Sequence, residues 1–167
     1  MRDMATRQIS VQRVSVISSK RFDDVVAALD GAVGHTDISD FQKRIGAATN
    51  YAEVELIVQQ VIAPSGFMEF AQFDLGGILR KAQGERAPRS VRFLIGNPLI
   101  MKRMLEHVPD AGSYAPVTIL VDERADGVHL TYDKMTSYLA PYGSAEALKV
   151  AQELDAKVEA LVTAAAK

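Results

Sequence analysis

The run Ser90–Pro109, SVRFLIGNPLIMKRMLEHVP, leaves the chain few choices of structure. Val91, Phe93 and Ile95 alternate with Arg92, Leu94 and Gly96. That is a strand, and its only partly polar second face reads as an inner strand covered on both sides. Asn97 has the short side-chain acceptor that caps a helix, and Pro98 suits the first helical position, where its missing N–H costs nothing. Met101, Met104, Leu105 and Val108 then recur at helical spacing, with Lys102, Arg103 and Glu106 on the wet side and Pro109 as the stop. The Gly-Asn-Pro turn is read as a plain cap rather than an anion site, since no Gly-rich phosphate loop accompanies it.

The flanking sequence fills in the other elements. Gln8–Ile17 is expected to be a first strand with a bulge at Gln12–Arg13, and Ser18 or Ser19 to cap a helix buried through Phe22, Val25, Val26, Leu29 and Val33. Thr36–Ala47 and a helix opened by an Asn50/Glu53 capping box form two further apolar-striped helices over 36–62. Phe67–Phe73 is an aromatic strand, and Asp74 caps a short helix carrying Leu75, Ile78 and Leu79. Val117–Val121 and Val128–Tyr132 alternate on either side of DERADG and read as a hairpin. Ser144 caps a long last helix, spanning about 143–165, with a seam through Leu148, Ala151, Leu154, Val158, Leu161 and Ala165. The fold class expected is α+β: one mostly antiparallel sheet with helices on one face, ordered β-α-(αα)-β-α-β-α-β-β-α, in a single domain over 1–167.

Composition narrows the function classes. The chain has 167 residues, no cysteine and a formal net charge of −2. Thiolate metal sites, disulfides and cysteine nucleophiles are therefore excluded, and general nucleic-acid binding, which needs a basic face, is not expected. No run approaches a membrane-spanning length, and MRDMATRQIS has no apolar stretch behind it, so no membrane association and a cytoplasmic location are expected.

From about Phe70 to Tyr132 the chain resembles the bacterial and archaeal family called domain of unknown function 302. Phe73-Asp74 before a short helix, FLIGNP at Phe93–Pro98, APVTILV at Ala115–Val121, and then Gly127 and Tyr132 carry the resemblance. It implies a saddle-like β-α-β domain, often a homodimer, and implies no substrate, cofactor or catalytic residue. Against that pattern, the helices at 36–62 and the long C-terminal helix stand out as elaborations.

The candidate chemistry is sparse. His35 sits beside Asp37 and Asp40, but with no second histidine at ligand spacing it reads as a solvated loop residue, and no metal site is expected. His107 suits a helix C-terminus. His129 shares a strand face with Thr131 and Asp133, and Tyr132 reads as a core residue with its hydroxyl satisfied. Glu69 stands among Phe67, Met68 and Phe70; an exposed sheet face is the plainer account, but buried it would have a raised pKa and acid–base use. Arg86, Arg89 and Arg92 form a basic cluster, read as a solvated edge. No Walker, dinucleotide, HExxH, GxSxG or CxxC motif is present.

Three functions follow. The first is a homodimer binding a small molecule between sheet and helices, with Phe67, Phe70 and Tyr132 as apolar lining and Glu69, Asn97 or His129 as polar anchors. The second is an enzyme using Glu69 or His129 as acid or base. The third is a protein-interaction module presenting the 36–62 helices and the last helix. No cofactor is indicated for any of them.

Overall fold

Five alternating segments make one sheet. In the computed structural model, which describes residues 4–167, these are β1 (Arg13–Ser18), β2 (Met68–Asp74), β3 (Ser90–Gly96), β4 (Val117–Arg124) and β5 (Gly127–Asp133). The first three residues of the N-terminal segment lie outside the described residues. The strand order is β1-β5-β4-β3-β2 and every neighbouring pair is antiparallel. The helices are α1 (Phe22–Gly31), α2 (Ile38–Ala47), α3 (Tyr51–Gln59), α4 (Leu75–Gln83), α5 (Pro98–Leu105), α6 (Met135–Leu139) and α7 (Ala145–Ala166). The α+β class and the order of elements are those read from the sequence, with α6 added.

Register explains which side is covered. Val91 pairs with Val121, Phe93 with Ile119, Val121 with Leu130 and Ile119 with Tyr132. These residues share one face, all are buried, and α1, α5 and α7 cover them. Val25, Leu29, Met104, Ala151, Leu154, Val158 and Val162 supply the helical side of that core. Removing this much apolar surface from water is the main force holding the layers together. The alanines of α7 let it lie close to α1, α5 and α6.

The other face of the sheet carries no helix layer. It presents Arg13, Ser15 and Ile17 of β1, Thr131 and His129 of β5, Thr118 and Leu120 of β4, and Arg92 and Leu94 of β3. This corrects the expectation that β3 is covered on both sides: it is an inner strand of a sheet with one open face.

The helices α2 and α3 stand at the β2 end and build a second small core. Phe41, Val58, Val61 and Met68 are buried there, with Ile38, Ile45, Val54, Phe70 and Leu99 packed against them. The two cores meet at β2, where a bulge between Glu69 and Ala71 shifts the register. The bulge lies here and not at Gln12–Arg13, and β1 starts at Arg13, later than expected. The caps at Asn50, Asp74, Asn97 and Ser144 form as read, and Asp37 adds another on α2. Arg21, without a side-chain bond, occupies the cap position of α1, because the Ser18 hydroxyl instead accepts from Lys20 N–H and donates to the Ala166 carbonyl.

Candidate functional site

The open sheet face is hollowed into a cavity of about 620 Å³. Its floor is Ser15, Thr131, Thr118, Leu120 and Arg92, one residue or two from each of four strands. Alternation places all of them on the uncovered side. The end wall is aromatic: Tyr114 and Tyr138 stack with centroids 4.5 Å apart and planes 11° from parallel. Tyr138 comes from α6, a single turn of helix that exists because of a tertiary contact. The buried Asp155 carboxylate of α7 accepts from Met135 N–H at 2.7 Å, Thr136 N–H at 3.1 Å, Thr136 Oγ1 at 2.7 Å and the Tyr132 hydroxyl at 2.7 Å. A side chain from another helix thus caps α6 and fixes the wall.

Three arginines reach the cavity, in two electrical states. Arg13 forms a two-pronged pair with Asp133 at 2.6 and 2.8 Å, and Arg124 does the same with Asp122 at 2.7 and 3.3 Å. The guanidinium beside Asp133 holds that carboxyl below its ordinary range, against the opposing pull of partial burial. Arg92 differs. Its Nη2 donates only to Thr118 Oγ1, at 3.2 Å, and no carboxylate pairs with it among the described residues. It is a free cation inside a concave surface. Hydroxyls of Ser15, Thr118, Thr131 and Tyr138 line the same cavity, Thr118 in contact with Arg92, and Leu120, Val117 and Met135 give the cavity apolar patches.

Beneath this face runs a short polar chain. His129 is nearly buried; its Nε2 lies 2.8 Å from Asp126 Oδ1 and its Nδ1 3.3 Å from Ser15 Oγ. With Nε2–H donating to Asp126, Nδ1 accepts from the Ser15 hydroxyl and fixes its direction at the cavity floor. The same contact holds the Asp126 carboxyl below its ordinary range.

A family model for the domain of unknown function DUF302 matches residues 41–165, well over half of the chain. The chain belongs to the DUF302 family. A crystal structure of an uncharacterized conserved DUF302 protein from Bacillus stearothermophilus is similar, with a TM-score of 0.65 at 14% identity over 92% of this chain and 97% of that one. At that identity the likeness is one of fold. No curated protein matches. Among the described residues, no helix is long and apolar enough to cross a membrane.

In this DUF302 chain the six residues singled out from sequence do not gather in one place. Phe67 is fully buried in the main core, and Tyr132 is buried on the covered face, its hydroxyl spent on Asp155. Burial and the neighbouring carboxylate raise the Tyr132 pKa further above the ordinary tyrosine value. Phe70 and Asn97 do meet, in an apolar groove with Met101, Met104 and Pro116. There Asn97 is occupied twice over, accepting from Leu99 N–H and donating to the Gly66 carbonyl, both at 2.9 Å. His129 underlies the open face, while Glu69, opposite Ile95, turns to the other side of the sheet. They cannot work as an acid–base pair.

The basic cluster divides as well: Arg89 pairs with Asp23 and Glu123, each at 2.8 Å, and Arg92 alone faces the cavity. Sequence reading missed the cavity because its polar lining is scattered over four of the five strands. The only signal in the sequence was the alternation that puts Arg92, Thr118 and Thr131 on the face away from the core.

Proposed function

We propose that this DUF302 protein binds a small anionic molecule on the open face of its sheet. The observation that carries the reading is Arg92, which among the described residues has no carboxylate partner and lies beside Thr118 in a hollow of about 620 Å³. A carboxylate or phosphate group fits its planar, two-pronged donors, and the Thr118 hydroxyl, which accepts from Arg92, keeps its own proton to donate to the same group. The stacked Tyr114 and Tyr138 rings offer an apolar or planar part of the ligand a surface.

The same reading takes the protein as a homodimer. Phe73, Leu75, Ile78 and Leu79 leave an apolar strip exposed along β2 and α4, with Leu75 at the rim of the cavity. A second copy on that strip would deepen the hollow and shield the bound group from water. The test is a thermal-shift panel of small carboxylates and phosphates, followed by calorimetry on the compounds that stabilise the protein. Wild-type protein is expected to bind at one site per chain, and Arg92→Gln to bind at least tenfold more weakly while melting at the same temperature without ligand. Equal affinity in the two proteins would refute the reading.

A further inference from the structure

A second polar cluster lies on the helix-covered side of the sheet, away from the cavity. Asp30 ends α1, His35 follows in the next loop, and Glu69 sits in β2. One ligating atom from each lies within 4.8 Å of the other two. Backbone holds them there. Gly34 forms a parallel bridge to β2: its N–H donates to the Phe67 carbonyl at 2.9 Å, and Glu69 N–H donates to its carbonyl at 2.8 Å. The fit permits no side chain at residue 34, since a Cβ there would stand 1.7 Å from the Val61 carbonyl oxygen. Glu69 thus makes one of the fixed contacts itself, and His35 follows Gly34 directly.

The cluster is electrically incomplete. Glu69 Oε2 is sealed from solvent and has no hydrogen-bond donor. Burial raises the Glu69 pKa and the Asp30 charge raises it further, while His35 works the other way. His35 does not close the gap by hydrogen bonding, because its Nε2 is directed at the Asp30 backbone carbonyl, 2.9 Å away, with Asp30 Oδ1 at 3.7 Å. Two carboxylates and an imidazole at this spacing lack a cation common to all three.

We propose that Asp30, His35 and Glu69 bind a first-row divalent cation, each giving one ligand atom and water completing the shell. One imidazole with two carboxylates suits Zn²⁺ and its neighbours in the series better than Ca²⁺ or Mg²⁺, and the chain has no thiolate to favour softer ions. Ligands about 2.0–2.1 Å from a tetrahedral ion stand roughly 3.3 Å apart, so the present spacing needs only side-chain rotation to close. His35 is exposed, which leaves the outer position of the ion open to water. The sequence expectation of no metal rested on spacing along the chain; the third ligand arrives through strand pairing.

Equilibrium dialysis of the chelator-treated full chain against Zn²⁺, with metal analysis, tests the proposal. One equivalent per chain is expected. His35→Ala and Glu69→Gln should each weaken binding at least tenfold, and His107→Ala, at an exposed residue outside the cluster, should leave it unchanged. Zn²⁺ should also raise the melting temperature of the wild type and not that of Glu69→Gln, a readout that does not depend on any activity. Absence of a saturable site, or equal affinity in the His35→Ala and Glu69→Gln proteins, would overturn the assignment.

Discussion

Single residues here carry unequal weight. Asp155 is 2% exposed and satisfies four donors from three residues. Asp155→Ala strands the Met135 and Thr136 N–H groups and the Tyr132 hydroxyl together, so a loss of about 3 kcal/mol or more is expected in chemical denaturation. Tyr132→Phe removes one of those bonds while Asp155 keeps its other donors, and should cost about 1 kcal/mol. Glu69 behaves in the opposite sense. Its folded pKa is raised, so its charged form disfavours the fold at neutral pH, and the contribution that favours folding is present only at low pH and lost as pH rises through the raised value. Metal-free Glu69→Gln should therefore melt at or above the wild type at neutral pH, and the difference should shrink toward pH 4. A lower melting point for the variant throughout would mean that Glu69 has a donor in the absence of metal. The core role of Tyr132 was legible from alternation. Its partner was not, because a buried aspartate on a helix looks in sequence like any solvated one.

At the scale of elements, local signals worked where one residue type decides the geometry. The caps at Asn50, Asp74, Asn97 and Ser144 depend on a short acceptor at a helix start, and each forms. Asn97→Ala should cost about 1 kcal/mol for the cap, with a further loss from the Gly66 carbonyl it leaves unpaired. Gly34→Ala should destabilise more, because the obstructing atom is backbone and the bridge to β2 must open. One element, α6, and the facing of another, α4, escaped sequence reading for tertiary reasons. The five residues of α6 are too few to show a helical period, and the Asp155 carboxylate, twenty residues away in α7, holds them. The apolar positions of α4 were legible, but not their direction. Gly76 presses against the backbone of Ser90, and Leu75, Ile78 and Leu79 are left facing outward.

For the whole molecule, the alternating strands made the antiparallel sheet readable in advance, but not which face of each strand the helices cover. The open face was not, since Leu94 and Leu120 among its polar residues imitate a strand buried on both sides. Ion pairs that span separate elements set the acid limit of stability. Arg13 holds the Asp133 pKa below its ordinary value and Arg89 does the same for Glu123. A depressed carboxylate pKa stabilises the fold above the unfolded value, near 4, and that contribution is lost as pH falls through the folded one. Melting temperature should therefore drop on acidification below about pH 4, and Arg13→Gln should flatten that drop. Both pairs are partly exposed, so the effect should also weaken in high salt.

The most direct test of the central claim is native mass spectrometry of wild-type and Arg92→Glu protein with the panel of small carboxylates and phosphates. Arg92 is solvent-exposed, so reversing its charge should not disturb the core. A wild-type dimer that retains one small anion per subunit, and a dimer of the variant that retains none, are expected. A wild-type protein that stays at its bare mass with every anion in the panel, or a variant that retains the same compounds, would contradict it.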